Sequence, residues 1–367
     1  MRPRSYNEAR IPMPNIIDYL RQYGSKSLRD LPLNEVDCLL LSEIAYSDFP
    51  ENETLLFGDA LLRAAELPWG ERRSQNGIEK IVELLRATAQ SPRFGEMRFL
   101  DFSQEYSLQP LCQFAGYALR PDPQTVLICF RGTDLDFTGW REDCRMLYES
   151  PIPAQLRAVQ YLARIADRYP GELVICGHSK GGNLAAYAAT FVDAKIQARI
   201  RQVMSFDGPG LEHEDFISPA FARVRDRLKV FMPRGSFVGM LFEQVNEVIY
   251  IHSRMPGVLQ HNPYRWQVEG TGFSLAEAPS SGGQRMCAVM RALLRENPPE
   301  RRKEFVEALF SIISTTEADT LPALLTEWRK NAVRVMRAFR GEDEATKRLF
   351  REVLLLAFRA ALGRIET

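Results

Sequence analysis

Residues Gly177-His178-Ser179-Lys180-Gly181 constrain this chain more than any other stretch. Leu173-Val174-Ile175-Cys176 precedes them, a short apolar run that reads as a buried strand. Gly182-Asn183-Leu184-Ala185-Ala186-Tyr187-Ala188-Ala189 follows, small and prone to form a helix. A chain that turns this sharply from strand to helix needs glycines around the turn, because side chains there would collide. The turn lifts the hydroxyl of Ser179 to the top of a sheet, as in a nucleophile elbow. The positive end of the following helix then favours negative charge beside that hydroxyl.

The 367 residues suffice for one large domain with an accessory part, or for two domains. Apolar residues make up 45% and charged residues 26%, the balance of an ordinary globular protein. Lys and Arg number 47, as do Asp and Glu, so no field of one sign calls for a nucleic acid. Neither a secretory leader nor a membrane span is expected. The six cysteines are scattered without a C-x-x-C pair, so neither a zinc site nor a disulfide framework is indicated. A reducing cytoplasm is the expected compartment. No metal and no cofactor is expected.

Strand-like runs begin near Phe114–Leu119 and continue at Thr125–Phe130, Leu173–Cys176, Val203–Phe206, Leu228–Met232 and Val248–Ile251. A helix over 154–169 falls between the second and third of these. Alternation of this kind predicts a mostly parallel sheet with helices on both faces, an α/β class fold. Residues 11–50 and 54–95 read as helical, with Ile78, Ile81, Leu84 and Leu85 at helical spacing. Beyond a turn at Pro279-Ser280-Ser281-Gly282-Gly283 the chain reads as helical to its end. One apolar stripe there is Phe305, Ala308, Leu309 and Ile312; another is Leu349, Val353, Leu354, Ala357 and Phe358. The expected division is a helical segment over 1–100, a core over 101–278, and a C-terminal helical cap or bundle over 279–367.

A nucleophilic serine needs a base, an acid to orient it and donors for an oxyanion. Of the four histidines, His178 lies within the elbow and is assigned a structural role. His261 sits on a late loop, Gln260-His261-Asn262-Pro263-Tyr264-Arg265-Trp266, and is the preferred base; His252 is the alternative. The backbone N–H of Lys180 supplies one oxyanion donor. Thr133, which ends the strand through Phe130-Arg131-Gly132, offers its N–H and hydroxyl as the second, unless the segment is only a strand-ending turn. Arg131 is assigned to a structural ion pair. The side chain of Lys180 is expected in solvent on the first turn of its helix, or else facing an anionic part of a substrate.

Phe130-Arg131-Gly132-Thr133, the elbow and the His261 loop resemble class 3 (fungal-type) lipases. The fuller set is similar to the Mbeg-like family of α/β-hydrolase-fold proteins related to those lipases. That set comprises Cys176-Gly177-His178-Ser179-Lys180-Gly181-Gly182-Asn183-Leu184-Ala185, Phe206-Asp207-Gly208-Pro209-Gly210, Val238-Gly239-Met240-Leu241, Gln260-His261 and Asn34-Glu35-Val36-Asp37. It spans most of residues 12–315. The resemblance implies an α/β-hydrolase fold and hydrolase activity. One departure stands out. Class 3 lipases place the acid after a strand corresponding to residues 228–232, where this chain has Pro233-Arg234-Gly235-Ser236 and no Asp before Tyr250. Asp207, after the strand at 203–206, is the candidate replacement. Asp215 is a second option and a dyad without acid a third.

The expected function is hydrolysis of a small-molecule or lipid ester by Ser179, His261 and Asp207. The competing classes are a hydrolase fold used only for binding, and a thioesterase or peptidase with the same nucleophile. The apolar loop at 234–246 is either a lid or acyl-chain wall, or a helix packed on the core. A lipid substrate implies peripheral contact with a membrane, although no polybasic cluster calls for one. The sequence leaves the oligomeric state open.

Overall fold

The computed structural model describes residues 13–49, 55–67, 75–134, 137–245, 247–316, 318 and 328–361. Its centre is an eight-stranded sheet whose strands lie side by side in chain order. These are β1 (Leu55–Leu56), β2 (Arg98–Leu108), β3 (Leu111–Asp122), β4 (Thr125–Phe130), β5 (Glu172–His178), β6 (Ile200–Phe206), β7 (Leu228–Pro233) and β8 (Val248–Ile251). The first four pair antiparallel and the last five, from β4 on, pair parallel. The parallel strands with helices on both faces, expected from the alternation, are found, and the fold is of the α/β-hydrolase type that the resemblance implied.

The main helices are α1 (Ile16–Tyr23), α2 (Glu35–Ile44), α3 (Phe57–Glu66), α4 (Gln75–Ala89), α5 (Phe137–Arg145), α6 (Pro153–Arg168), α7 (Lys180–Phe191), α8 (Ser281–Glu296), α9 (Pro299–Ser314), α10 (Trp328–Gly341) and α11 (Glu344–Ala361). One face of the sheet is covered by the N-terminal helices, through Ile16, Leu39, Leu40, Phe57 and Leu84. The other is covered by α6 and α7, through Leu162, Ile165, Leu184 and Ala188. Every residue of β4 is buried, as a strand covered on both faces requires.

Asn34 caps α2 and Asp37 returns the bond in a capping box. Asp37 also accepts from the hydroxyl of Tyr19 on α1 (2.9 Å) and from Nε of Arg93 (2.8 Å), both wholly inside the protein. Arg93 also pairs with Asp37 Oδ2 through Nη2 and donates to the carbonyls of Lys26, Leu31 and Pro32. The Asn34–Asp37 string therefore clamps the N-terminal helices to one another.

The sheet begins earlier than the apolar runs suggested. β2 pairs with β3 along its whole length in a hairpin closed at Leu108 and Leu111. Its outer half alternates in burial, and Gln104, Glu105 and Ser107 dilute the apolar signal. Helix α5 also differs from the sequence reading, which assigned 137–145 no element. In α9 the buried positions are Val306, Phe310 and Ile312; of the expected stripe Ile312 is buried, and Phe305, Ala308 and Leu309 are half-buried. Leu349 is buried, whereas the side chains of Ile78, Val353, Leu354, Ala357 and Phe358 lie outside the described residues. The C-terminal helices pack on the segment that follows α5. Arg302 donates to the carbonyl of Leu147 (2.7 Å), and Glu307 pairs with Arg141. No helix among the described residues is long and apolar enough to cross a membrane.

Candidate active site

Thr133, Ser179, Asp207 and Ser236 follow β4, β5, β6 and β7, and His261 follows β8, so all gather at the carboxyl edge of the parallel strands. That edge is where open α/β sheets carry their sites. Ser179 has φ +58° and ψ −132°, a conformation that side chains other than glycine avoid. The turn is held by a bond from Ser179 N–H to the carbonyl of Phe206 (2.9 Å). The glycines are steric necessities: a Cβ on Gly177 would stand 2.2 Å from the carbonyl oxygen of Gly181. One on Gly181 would stand 2.2 Å from that of Phe130.

His261 Nδ1 donates to Asp207 Oδ2 at 2.7 Å. That bond fixes the ring and leaves the lone pair of the neutral imidazole on Nε2. Asp207 is wholly buried and has φ +51°. Its other oxygen, Oδ1, accepts from the N–H of Gly239 (3.2 Å), which also faces the hydroxyl of Ser236 (3.4 Å). A Cβ on Gly239 would come within 2.4 Å of Oδ1, so the Val238-Gly239-Met240 turn needs glycine there. Asn183 of α7 donates to the carbonyls of Pro209 (3.3 Å) and Gly210 (2.7 Å), and Gln244 donates to those of Gly208 (3.0 Å) and Gly239 (2.7 Å). The loops around Asp207 are thus tied to the elbow helix.

The loop bearing His261 is anchored from below. Trp266 is buried against Phe206 and Phe273, and its Nε1 donates to the carbonyl of Gln260 (2.8 Å). His178 has a part that sequence reasoning did not assign. Its ring lies 4.6 Å from that of His261, and its Nε2–H donates to the carbonyl oxygen of His261 (3.0 Å). Its Nδ1 lies 3.2 Å from the hydroxyl of Tyr46 and 3.1 Å from Glu43 Oε1. The cue in the sequence was its position beside Ser179.

Of the other histidines, His213 lies on the surface beside Glu243, and His252 ends β8 with its backbone paired to Ser274 and Gln267. Asp215 accepts from Ser150 (2.8 Å), and burial pushes its carboxyl above the ordinary range. Arg131 donates to the carbonyls of Ala45 and Ser47 and to Asp48.

Lys180 is the clearest departure. Its side chain is neither in solvent nor facing the cleft as a free cation; it is wholly buried, with Nζ 2.9 Å from Glu142 Oε2 and 3.3 Å from Asp143 Oδ1. Burial by itself would lower the pKa of this lysine, but Asp143 and Glu142 outweigh it and hold the value above the ordinary one. The backbone N–H groups of Lys180 and Thr133 have no hydrogen-bond partner among the described residues. The hydroxyl of Thr133, by contrast, donates to Asp143 Oδ2, which leaves only the N–H as a donor toward the cleft.

Ser179, His261, Thr133 and Lys180 all line a cleft of about 700 Å³. Its walls are mainly apolar: Trp140, Met146, Leu147, Phe237, Leu241, Phe242 and, from α8, Met290. The 234–246 loop supplies a wall of the cleft, with a short 3-10 turn at Val238–Met240 and no α-helix among its described residues. Among the described residues no cluster of side chains is arranged to hold a metal ion.

Sheet order and crossovers define an α/β-hydrolase fold, with a serine at the elbow of its fifth strand. The chain belongs to the Mbeg1-like family, whose model matches residues 88–311. No curated protein sequence matches it. Solved structures with similarity include M37 lipase, at 15% identity and a TM-score of 0.33 over 55% of this chain and 68% of that one. Rhizomucor miehei lipase in its native propeptide complex gives 14% and 0.34 over 52% and 72%. The lipase from Rhizopus microsporus var. chinensis gives 13% and 0.36 over 76% and 88%.

Proposed function

We propose that this chain is a serine hydrolase that cleaves a carboxylic ester with an apolar acyl group. The observation that carries the reading is the 2.7 Å bond to a buried Asp207 from His261, which lines the same cleft as Ser179. In this reaction Ser179 Oγ attacks the ester carbonyl and His261 Nε2 takes its proton. The carbonyl oxygen, now negative, is held by the N–H groups of Lys180 and Thr133. His261 then protonates the leaving alcohol as the C–O bond breaks, giving an acyl-enzyme. Water repeats the steps in reverse roles and frees the acid. Asp207 accepts from Nδ1–H throughout and stabilises the imidazolium. The apolar walls of the cleft support an acyl chain as the part bound.

Hydrolysis of a series of p-nitrophenyl esters of rising chain length tests the reading. The expected result is turnover that rises with chain length and vanishes in Ser179→Ala. Preference for acyl-CoA thioesters over esters would make the enzyme a thioesterase. A folded protein without turnover on either series would point to a binding module.

A further inference from the structure

Both proposed oxyanion donors lead back to one side chain. Lys180 offers its own N–H from the first turn of α7. Its Nζ is wholly buried and pairs with Asp143 on α5, a partly exposed residue at the edge of the cleft, and Asp143 in turn takes the hydroxyl of Thr133. We propose that Lys180 is a positioning residue of the oxyanion hole, whose side chain fixes Thr133 through Asp143 while its backbone supplies the other donor. This rests on the serine-hydrolase reading above.

Three observations carry it. The first is that Glu142, the second partner of the ammonium, is itself fixed. It accepts from the N–H of Gln113 on β3 (2.9 Å) and of Ala154 on α6 (3.1 Å), so Lys180 is tied to an anchored carboxylate. The second is the closeness of α5 to Thr133. A Cβ on Gly139 would stand 2.6 Å from Thr133 Cγ2 and 2.2 Å from Gln113 Oε1, so the helix presses on the donor residue with only a glycine's clearance. The third is the choice of residues. A buried ion pair is a poor source of stability compared with apolar packing, because both charges must be stripped of water. Such groups are retained where they hold a particular arrangement, and this one links the elbow to the strand end beside it. Burial pushes the Asp143 carboxyl upward, and Lys180 is the charge that opposes the shift and keeps Asp143 an acceptor for Thr133.

The test is a double-mutant cycle read with an alkyl fluorophosphonate, whose P=O occupies the oxyanion position. Rates of labelling at Ser179 are measured for the full-length wild type, Thr133→Val, Lys180→Met and the double variant, with folding followed by thermal melts. Each substitution cuts the same tether at a different link. Each single variant is expected to slow labelling roughly tenfold or more, in the inactivation rate constant and not in the concentration for half-saturation. The double variant is expected to be no slower than the worse single one. Asp143→Leu, close in size and without an acceptor, reads the middle link should Lys180→Met not fold, and is expected to give the same loss. Wild-type rates in Lys180→Met or Asp143→Leu, or losses that multiply in the double variant, would overturn the proposal and leave the hydrolase reading standing. Absence of labelling in folded wild type would overturn both.

Discussion

The two sides of the cleft are built in different ways. The side of the proposed nucleophile is local: five consecutive residues place Ser179, and the contacts between Gly177 and Gly181 leave the turn few alternatives. The side of the proposed acid and base is assembled from residues far apart. Asp207 and His261 are separated by 54 positions, and Gly239, Gln244 and His178 come from other segments to hold them, with Trp266 of His261's own loop beneath. A turn of the first kind is fixed by backbone sterics. A pair of the second kind depends on many side chains at once, so it offers more places to weaken.

The largest effects should fall where the two sides meet. Asp207→Asn keeps the shape but disrupts the orientation of His261, and should slow labelling of Ser179 by on the order of 10⁴. A rate within tenfold of wild type would remove Asp207 from the acid's place. Gly181→Ala, by contrast, should prevent the elbow from forming, since its Cβ would lie 2.2 Å from the carbonyl oxygen of Phe130. Poor expression or a lowered melting temperature would show it.

Next comes the acid side's own glycine. Gly239→Ala puts a methyl group 2.4 Å from Asp207 Oδ1, and the loop must shift to admit it. A loss of activity of about 10- to 100-fold, with little change in melting temperature, is expected from a small misplacement of this kind. His178→Phe keeps a ring beside His261 and removes the bond to its carbonyl oxygen. A smaller loss, about fivefold to tenfold, should appear in turnover and not in the Michaelis constant.

The smallest effect concerns pH and the nucleophile side. Lys180 has a raised pKa in the folded protein, so its contribution to stability is fully present below its ordinary value of 10.5 and is lost as pH rises through the folded value. Melting temperatures of wild type and Lys180→Met, measured from pH 7 upward, should therefore converge only above about pH 10.5. Convergence near neutral pH would contradict the pairing with Glu142 and Asp143.

The same contrast governs what the sequence made legible. Strands β4 to β7 announce themselves as apolar runs because both faces of the sheet are covered there. Strand β2 escaped because its outer half alternates in burial. Around the elbow, the turn at Ser179 was legible from its glycines, whereas the place of the Lys180 side chain was not. The first turn of a helix usually faces solvent, and only the packing of α5, whose carboxylates lie 37 and 38 positions earlier, encloses the ammonium. Asp207 drew notice through a gap, since no Asp stands where Ser236 does. That Asp207 Oδ1 and the Ser236 hydroxyl meet the same Gly239 N–H is a fact of loop packing, which spacing does not encode.

The most direct measurement is mass spectrometry of the peptide that carries Ser179 after treatment with a fluorophosphonate. A single adduct on Ser179, absent from Ser179→Ala and formed far more slowly in Asp207→Asn, is the predicted result. A folded protein that takes no adduct, or takes it on another residue, would contradict the assignment of Ser179 as the nucleophile.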